Sequence, residues 1–225
     1  MIRRATRGDA GNIADLHALA LRGSIFLELG RPFLEQFYYG TLADADDVFS
    51  YVYEQDGRIV GFVTMAASHE LFYRHIMKDL PQLLVSLARS AIASPSSVAS
   101  MAKAAFFMTK KERLIRCDAK GELLQIAVHP DYRARLENGE PTPFFRDTGV
   151  KVAEALFFNA AMELRKRGVR DFRIMTGGEN VVSNKFYSRL GCRKVADNIQ
   201  VFGKPTSLYR CDVEDAIGLL DHTGI

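Results

Sequence analysis

The residues of this chain that could do chemistry lie in the stretch from Glu122 to Cys192. The pattern there predicts a strand, a basic loop, a long helix, a second strand and a short helix that carries Tyr187. The first turn of a helix offers backbone N–H groups without intrahelical partners, and its positive end favours an anion such as a pyrophosphate. The layout therefore indicates a phosphate-binding loop before the long helix, with a tyrosine that could sit near the chemistry.

The elements of this stretch follow from the spacing of apolar residues. A strand is predicted from Glu122 to Val128, a helix from Gly149 to Arg167, a strand from Val169 to Thr176 and a helix from Asn180 to Leu190. The long helix is the clearest, because apolar residues recur at helical spacing in Ala153, Leu156, Phe157, Ala160, Ala161 and Leu164. Residues 134–145 are predicted to be a flexible loop, and residues 199–202 and 207–212 a closing hairpin.

The N-terminal third supplies elements that could support this region. It predicts a strand at 2–5, a helix capped by Asp9, a helix at 24–39 and a hairpin of strands 48–54 and 59–66. Gly61 lies within the second hairpin strand and indicates a bulge or the close approach of another backbone.

Residues 69–116 break the strand rhythm and predict a helical insertion of two or three helices within one domain that spans 1–225. An apolar stripe runs from Leu80 to Ile92, and a basic stretch follows with Lys103, Lys110, Lys111, Arg113 and Arg116. The stripe is most simply explained by packing against the sheet, and the basic stretch by a solvated face. The alternatives are a membrane-surface or partner-docking element for the stripe and attraction of an anionic substrate for the basic stretch.

The composition excludes several classes of protein. The chain has 225 residues, 48% of them hydrophobic and 25% charged, which suits one sizeable core. A net charge of +3 is too weak to indicate a nucleic-acid partner, and no run reaches the ~20 apolar residues that span a membrane.

The cysteines and histidines predict no metal site. The three cysteines, Cys117, Cys192 and Cys211, are widely spaced and form no C-x-x-C pair, so we expect reduced thiols in a cytoplasmic protein. The histidines at 69, 75 and 129 have no metal-ligand spacing, and His129 before Pro130 is most simply a loop residue.

Three pieces of the sequence resemble the GNAT superfamily of N-acetyltransferases. They are the run from Glu122 to Arg133 with its His129-Pro130 turn, the run from Arg146 to Val152, and the run from Asn180 to Cys192 with its Phe186-Tyr187 and Leu190-Gly191 pairs. The resemblance covers most of the chain except roughly 69–116, and the third piece is the most specific.

The resemblance implies an α/β fold of α+β type and acetyl-CoA as co-substrate. A mostly antiparallel sheet, flanked by helices, would splay between two central strands, with the helical insertion between the third and fourth strands. The cofactor would lie in the splay, with its pantetheine arm along the backbone of 126–128 and its pyrophosphate at 146–150. The residues implied to hold it are Ile126, Ala127, Val128, Arg133, Arg146, Thr148, Gly149, Val150, Lys151 and Asn180.

The chain departs from the family pattern in the phosphate loop. The pattern Arg/Gln-x-x-Gly-x-Gly/Ala appears here as Arg146-x-x-Gly149-x-Lys151, so a lysine replaces the second small residue. Lys151 either blocks the close approach of the phosphates or replaces a lost backbone contact with a point charge.

Transfer to an amine needs a base and an acid. An alkylamine of pKa ~10.4 is mostly protonated at neutral pH, so a base must take its proton. The resemblance implies Glu122 as that base and Tyr187 as the acid for the departing thiolate, while a backbone N–H at 127 or 128 would stabilise the tetrahedral intermediate. Plain structural roles stay open: an edge-strand glutamate that faces solvent or pairs with a lysine, a core aromatic, and for Asn180 a helix cap.

Two functional hypotheses follow. The first is an N-acetyltransferase acting on the primary amine of a small molecule, such as an amino sugar, with the insertion shaping the acceptor pocket. The second is a catalytically degenerate, CoA-binding or interaction module of the same fold. A homodimer through the C-terminal hairpin or the insertion is compatible with either.

Overall fold

The computed structural model describes residues 1–41, 45–93, 115, 117–136, 138–201 and 203–221. Seven strands form one sheet in the order β1-β2-β3-β4-β5-β7-β6. The strands are β1 (Ile2–Arg4), β2 (Val48–Gln55), β3 (Arg58–Ala66), β4 (Gly121–Val128), β5 (Asp171–Gly177), β6 (Arg193–Val201) and β7 (Lys204–Asp212). Every neighbouring pair is antiparallel except β4 and β5, which confirms the predicted mixed, mostly antiparallel sheet.

The sheet opens between its two central strands. Parallel pairing of β4 with β5 extends only from Gly121 opposite Phe172 to Leu123 opposite Ile174. At the same point the register of β4 against β3 shifts, with Leu124 as the extra residue of a bulge. Beyond this bulge β4 continues beside β3 alone, so a V-shaped gap separates residues 124–128 from the end of β5, as the family resemblance implied.

Helices cover both faces of the sheet. They are α1 (Ala10–Ala20), α2 (Ile25–Glu28), a π-helix (Phe33–Thr41), α3 (His69–Lys78), α4 (Leu80–Ala93), α5 (Pro143–Thr148), α6 (Val152–Lys166), α7 (Val181–Arg189) and α8 (Val213–Asp221). On one face α6 and α8 pack over a large apolar cluster, and on the other α1 and the π-helix pack over a second cluster.

Gly61 allows α6 to approach β3 closely. A Cβ atom at this position would lie 2.8 Å from Cγ1 of Val152 and 2.9 Å from Cδ1 of Leu156. The strand pairing also shifts beside Gly61, where Val60 is bulged against β2. The predicted bulge is therefore present beside this glycine, whereas the atoms that approach it most closely belong to side chains and not to another backbone.

The single helix predicted at 24–39 is wrong. Gly30 adopts a φ of 91° and Pro32 follows it, so α2 ends before a separate π-helix begins at Phe33. A π-helix is rare, and it is frequently found at functional sites. Here it places Tyr38 and Tyr39 against the sheet, because both side chains are buried in the cluster beneath α1.

The start of the long helix also differs from the prediction. Gly149 has a φ of 68° and ends the short helix α5, so α6 begins at Val152 and not at Gly149. Part of the predicted loop 134–145 is ordered as well. Arg135 pairs with Pro141, and Thr142 caps α5 by accepting a hydrogen bond from the Phe145 N–H.

The expectation of three reduced cysteines is wrong, because Cys192 and Cys211 form a disulfide. Arg193 at the start of β6 lies opposite Arg210 of β7, which places the two cysteines across from each other with Cα atoms 4.3 Å apart. Their separation of 19 residues hid this neighbourhood in the sequence. The cytoplasmic location was inferred from three reduced thiols, so the disulfide removes that argument. Cys117 is a free thiol.

The insertion is helical where the structure describes it, in α3 and α4. Leu83 and Leu87 of α4 pack against the cluster under α1, whereas Leu84, Val85 and Ile92 are exposed. The predicted basic stretch, from Lys103 to Arg116, lies outside the described residues. Among the helices of the described ranges, none combines the length and apolarity needed to cross a bilayer.

Candidate active site

The β4 wall of the gap presents backbone groups that none of the strands described in the structure pairs. The His129 N–H donates to the Val60 carbonyl at 2.8 Å. Since every second residue of an antiparallel strand hydrogen-bonds to its neighbour, this bond shows which residues of β4 pair with β3. Ala127 therefore directs its N–H and C=O toward β3, while Ile126 and Val128 direct theirs toward the gap. Of the three residues predicted to hold a pantetheine arm, two thus face the gap and one belongs to the ladder.

Arg133 closes the outer end of this wall. Its Nε donates to the Val128 carbonyl at 3.2 Å, so the guanidinium lies beside the last residue of β4. The carbonyl of Arg133 in turn accepts a hydrogen bond from the Thr142 hydroxyl at 2.6 Å. The turn after β4 and the start of α5 are therefore joined next to the gap.

The predicted phosphate loop already uses several of its own N–H groups. The N–H groups of Arg146 and Gly149 donate to carbonyls one turn earlier, and that of Val150 donates to the Thr148 hydroxyl at 3.2 Å. The first turn of α6 offers donors instead, since a helix leaves its first N–H groups without intrahelical partners. An anion at this loop would accordingly sit at 152–154, with the exposed Arg146 beside the loop.

Lys151 stands just before that helix start and pairs with a buried carboxylate. Its Nζ lies 3.2 Å from Oε2 of Glu154, whose side chain is only 3% exposed. Arg189 of α7 donates to the other oxygen of Glu154 at 2.5 Å. Lys151 and Arg189 therefore flank the single carboxylate of Glu154 at the N-terminal end of α6. A phosphate bound there would meet a site of net positive charge.

Glu122 is held in a buried ion pair. One of its oxygens accepts hydrogen bonds from Nε and Nη2 of Arg173, at 3.1 and 2.9 Å, and the two side chains are 2% and 1% exposed. The pair sits where β4 and β5 are still directly opposed, at the closed end of the gap. The carboxylate is the countercharge of a buried arginine, which would be left unpaired if the carboxylate were lost.

Tyr187 of α7 is a buried phenol near the other wall. It belongs to the apolar cluster that includes Val128 of β4 and Ile174 of β5, and its ring centroid lies 5.8 Å from that of Tyr209. Burial, and to a smaller extent the neighbouring Tyr209, raise the pKa of Tyr187 above its usual value. The phenol therefore carries its proton at neutral pH, which a general acid requires.

Two asparagines organise the start of α7. Asn180 accepts a hydrogen bond from the Ser183 N–H at 3.1 Å and caps the helix, which is the structural role left open for it. The Asn184 side chain donates to the Gly177 carbonyl at 3.0 Å and accepts from the Tyr209 hydroxyl at 2.7 Å. These contacts fix α7, and with it Tyr187, against the ends of β5 and β7.

A contact joins two distant segments of the chain. Lys204 at the start of β7 donates to the Gly23 carbonyl at 3.1 Å and lies 3.9 Å from a carboxylate oxygen of Glu28. The contact connects the β6–β7 hairpin to the segment between α1 and α2.

Several residues of this region were not found by sequence reasoning. They are Arg173, Glu154 and Arg189. Arg173 gave a signal, because it interrupts a run of apolar residues in a predicted strand and a buried arginine needs a carboxylate. The others gave none, because their contacts depend on how separate elements come together.

No family model matches the sequence, and no curated protein matches it significantly. Solved structures do match. One described as SsHAT is 17% identical with a TM-score of 0.61, covering 95% of this chain and 98% of that one. The ribosomal-protein-S18-alanine N-acetyltransferase of Escherichia coli is 14% identical with a TM-score of 0.53, covering 95% and 93%.

Two further matches bear on ligands. An aminoglycoside 6'-acetyltransferase type Ii is 12% identical with a TM-score of 0.53, covering 95% of this chain and 97% of that one. An N-acetyltransferase from Thermoplasma acidophilum, solved in complex with coenzyme A, is 13% identical with a TM-score of 0.50, covering 92% and 96%. These likenesses show that the chain has the fold of the GNAT acetyltransferases.

Proposed function

We propose that this protein transfers an acetyl group from acetyl-CoA to the primary amine of a small molecule. The observation that carries the proposal is the gap beyond Leu123, where the backbone of Ile126 and Val128 faces an opening that β5 does not fill. A pantetheine arm could pair there as an added strand. The positive loop around Lys151 stands where the arm would reach its phosphates.

The choice of a small-molecule acceptor is a finer step. The matched structures include an enzyme named for a ribosomal protein and one named for an aminoglycoside, so the fold serves both classes. The hydrogen bond from Lys204 to Gly23 supports the small molecule, because it joins the β6–β7 hairpin to the segment between α1 and α2 and would leave less room for a bulky acceptor between them. The helical insertion, α3 and α4, adds a further wall over the π-helix.

The proposed reaction is direct attack. The neutral amine attacks the thioester carbonyl, a backbone N–H of β4 that faces the gap stabilises the oxyanion, and the carbon–sulfur bond breaks as the amide forms. Tyr187 gives its proton to the departing thiolate, and the proton of the amine passes to a base and then to solvent. Glu122 is the proposed base, and accepting that proton requires its ion pair with Arg173 to loosen.

A calorimetric titration with acetyl-CoA tests the cofactor part of the proposal. We expect micromolar binding by the wild type and weaker binding by Lys151→Ala, because the ammonium replaces the missing backbone contact. Lys151→Gly serves as the matched variant that restores the family pattern. Absence of binding in the wild type, with binding in Lys151→Gly, would show instead that the lysine blocks the site.

The second candidate is a CoA-binding module without turnover. The observation that favours it is the Glu122–Arg173 pair, because it occupies the carboxylate that the reaction needs. Thiol release from acetyl-CoA in the presence of amines separates the two. The enzyme should lose turnover in Tyr187→Phe while it still binds CoA, whereas the module would bind CoA and release no thiol in either form.

A further inference from the structure

A buried carboxylate stands at the start of the long helix, among the groups that would meet the cofactor phosphates. Glu154 is the third residue of α6, and its side chain is only 3% exposed. The positive end of a helix stabilises a carboxylate as well as a phosphate, so the two anions compete for the same place. A phosphate is therefore favoured beside Glu154 only when cations neutralise that carboxylate.

The two cations that contact Glu154 are bound to it differently. Nη2 of Arg189 donates a hydrogen bond to Oε1 at 2.5 Å, whereas Nζ of Lys151 lies 3.2 Å from Oε2. Among the residues that the structure describes, none donates a well-aligned hydrogen bond to Oε2, so Lys151 contributes its charge alone. Because a charge-assisted hydrogen bond is stronger than a charge contact without alignment, Lys151 is the partner that a competing anion could draw away.

The two cations also differ in where they are anchored. Lys151 directly precedes α6 and its first N–H groups, and its side chain is 39% exposed, so a ligand at the helix start can reach it. Arg189 ends α7, and its guanidinium lies 5.9 Å from the ring centroid of Phe186, which packs edge-on against Phe157 of α6. Since Glu154 and Phe157 share one face of α6, the packing of the two helices holds Arg189 at the carboxylate.

We propose that Arg189 is a positioning residue for cofactor binding: it neutralises Glu154, so that Lys151 can leave this carboxylate and contact the phosphates of acetyl-CoA. Without Arg189, Lys151 is the remaining countercharge of a buried carboxylate and stays with it. Arg189 thus acts through Glu154 and Lys151 and does not itself touch the cofactor. The inference rests on the proposed function and concerns the phosphate end of its cofactor site.

The experiment measures the Kd for CoA by calorimetry, with pantetheine as the matched ligand that lacks phosphates. We expect Arg189→Met to raise the Kd for CoA about tenfold or more, because the contact between the ammonium and the phosphates is lost. The Kd for pantetheine should change by less than about twofold, since that ligand does not need Lys151. Arg189→Gln, which also lacks the charge, gives the same comparison if the methionine variant does not fold.

The matched control removes an arginine at the other end of the same helix. Arg165 of α6 is also partly exposed, and it lies 3.6 Å from a carboxylate oxygen of Glu214. Arg165→Met therefore changes the net charge of the protein by the same amount and should leave the Kd for CoA within about twofold of the wild type. An equal loss in both variants would attribute the effect to net charge and overturn the inference.

A second substitution shows whether Arg189 acts through Glu154. Glu154→Gln keeps the size of the side chain and removes its charge, so Lys151 no longer has a carboxylate to neutralise. Added to Arg189→Met, it should restore the Kd for CoA to within about threefold of the wild type. Urea unfolding of each variant checks that the loss and the recovery of affinity do not follow the stability of the fold.

The outcomes separate this inference from the proposed function. If Glu154→Gln does not restore the affinity of Arg189→Met, Arg189 contacts the phosphates directly and the inference is wrong, while amine acetylation by the wild type still upholds the function. If the wild type binds CoA but acetylates no amine, the function fails, and the Kd values still decide the role of Arg189. A wild type that does not bind CoA overturns both.

Discussion

The face of the sheet beneath α6 and the face beneath α1 and the π-helix are packed with different kinds of side chain. The first is an apolar cluster from β2, β3, β4, β5 and β7, closed by α6 and α8. The second includes buried polar pairs such as Ser50 with Thr64, at 2.7 Å, and His17 with Tyr39. Buried polar groups stabilise a fold less than buried apolar groups do. We therefore expect the polar residues of the second face to serve the function of the protein.

The two faces of the sheet would therefore have different roles in the proposed reaction. The apolar face fixes α6, whose first turn would hold phosphates, and it also contains the proposed acid Tyr187. The polar face carries Glu122, the proposed base, and it would meet the acceptor. Changes on the two faces should therefore destabilise the protein for different reasons. Three tests of this follow, beginning with the largest expected effect.

Glu122→Gln should lower the free energy of unfolding by about 3–5 kcal/mol, because it leaves the buried Arg173 without a countercharge. Urea unfolding followed by circular dichroism measures the loss. The double variant Glu122→Leu with Arg173→Met removes both charges and should recover most of it. If Glu122→Gln is instead as stable as the wild type and has an altered pH–rate profile, Glu122 acts as a base and is not required to neutralise Arg173.

Lowering the pH should destabilise the polar face through His17. Burial lowers the pKa of His17 from 6.5 to about 4, so the unfolded chain binds a proton that the folded chain refuses between these values. The stability that His17 contributes is fully present above pH 6.5 and is lost as the pH falls toward 4, by about 3 kcal/mol. Urea unfolding at a series of pH values measures this slope. His17→Gln should flatten it, and an unchanged slope would show that other groups cause it.

Gly61→Ala tests the apolar face. The added Cβ would meet Val152 and Leu156 at less than 3 Å, so we expect a loss of about 1–3 kcal/mol from overpacking. Gly218→Ala is the matched control, because nothing lies within 4 Å of its Cβ and a helical alanine should stabilise by about 0.5–1 kcal/mol. Thermal unfolding of both variants measures the opposite signs, and a stable Gly61→Ala would mean that α6 can shift.

The elements that the sequence predicted well are those whose signal is local. The apolar spacing from Ala153 to Leu164 marks α6 wherever the rest of the chain goes, and the strand from Glu122 to Val128 differs from the observed β4 by one residue. Gly61 was informative for the same reason, since a glycine inside a strand pattern asks for a bulge or a close neighbour.

The features that the sequence did not reveal depend on register or on distant partners. The disulfide needs β6 and β7 to pair so that Cys192 meets Cys211, and the ion pair needs Glu122 to meet Arg173 across 51 residues. The π-helix has the same apolar and aromatic composition as an ordinary α-helix, so spacing alone could not distinguish them. In the candidate site, the family resemblance predicted the gap and the residues that line it. The ion pairs of Glu122 with Arg173 and of Lys151 with Glu154 could not be predicted.

The bond between Cys192 and Cys211 also shapes the unfolded chain. A crosslink over 19 residues keeps the two ends of the last hairpin together when the rest of the molecule opens, which removes conformations from the denatured ensemble. Under oxidising conditions β6 and β7 would begin refolding with the hairpin held at both its turn and its open end. This hairpin would then form early, whereas the pairing of β4 with β5, which joins distant parts of the chain, would be slower to complete.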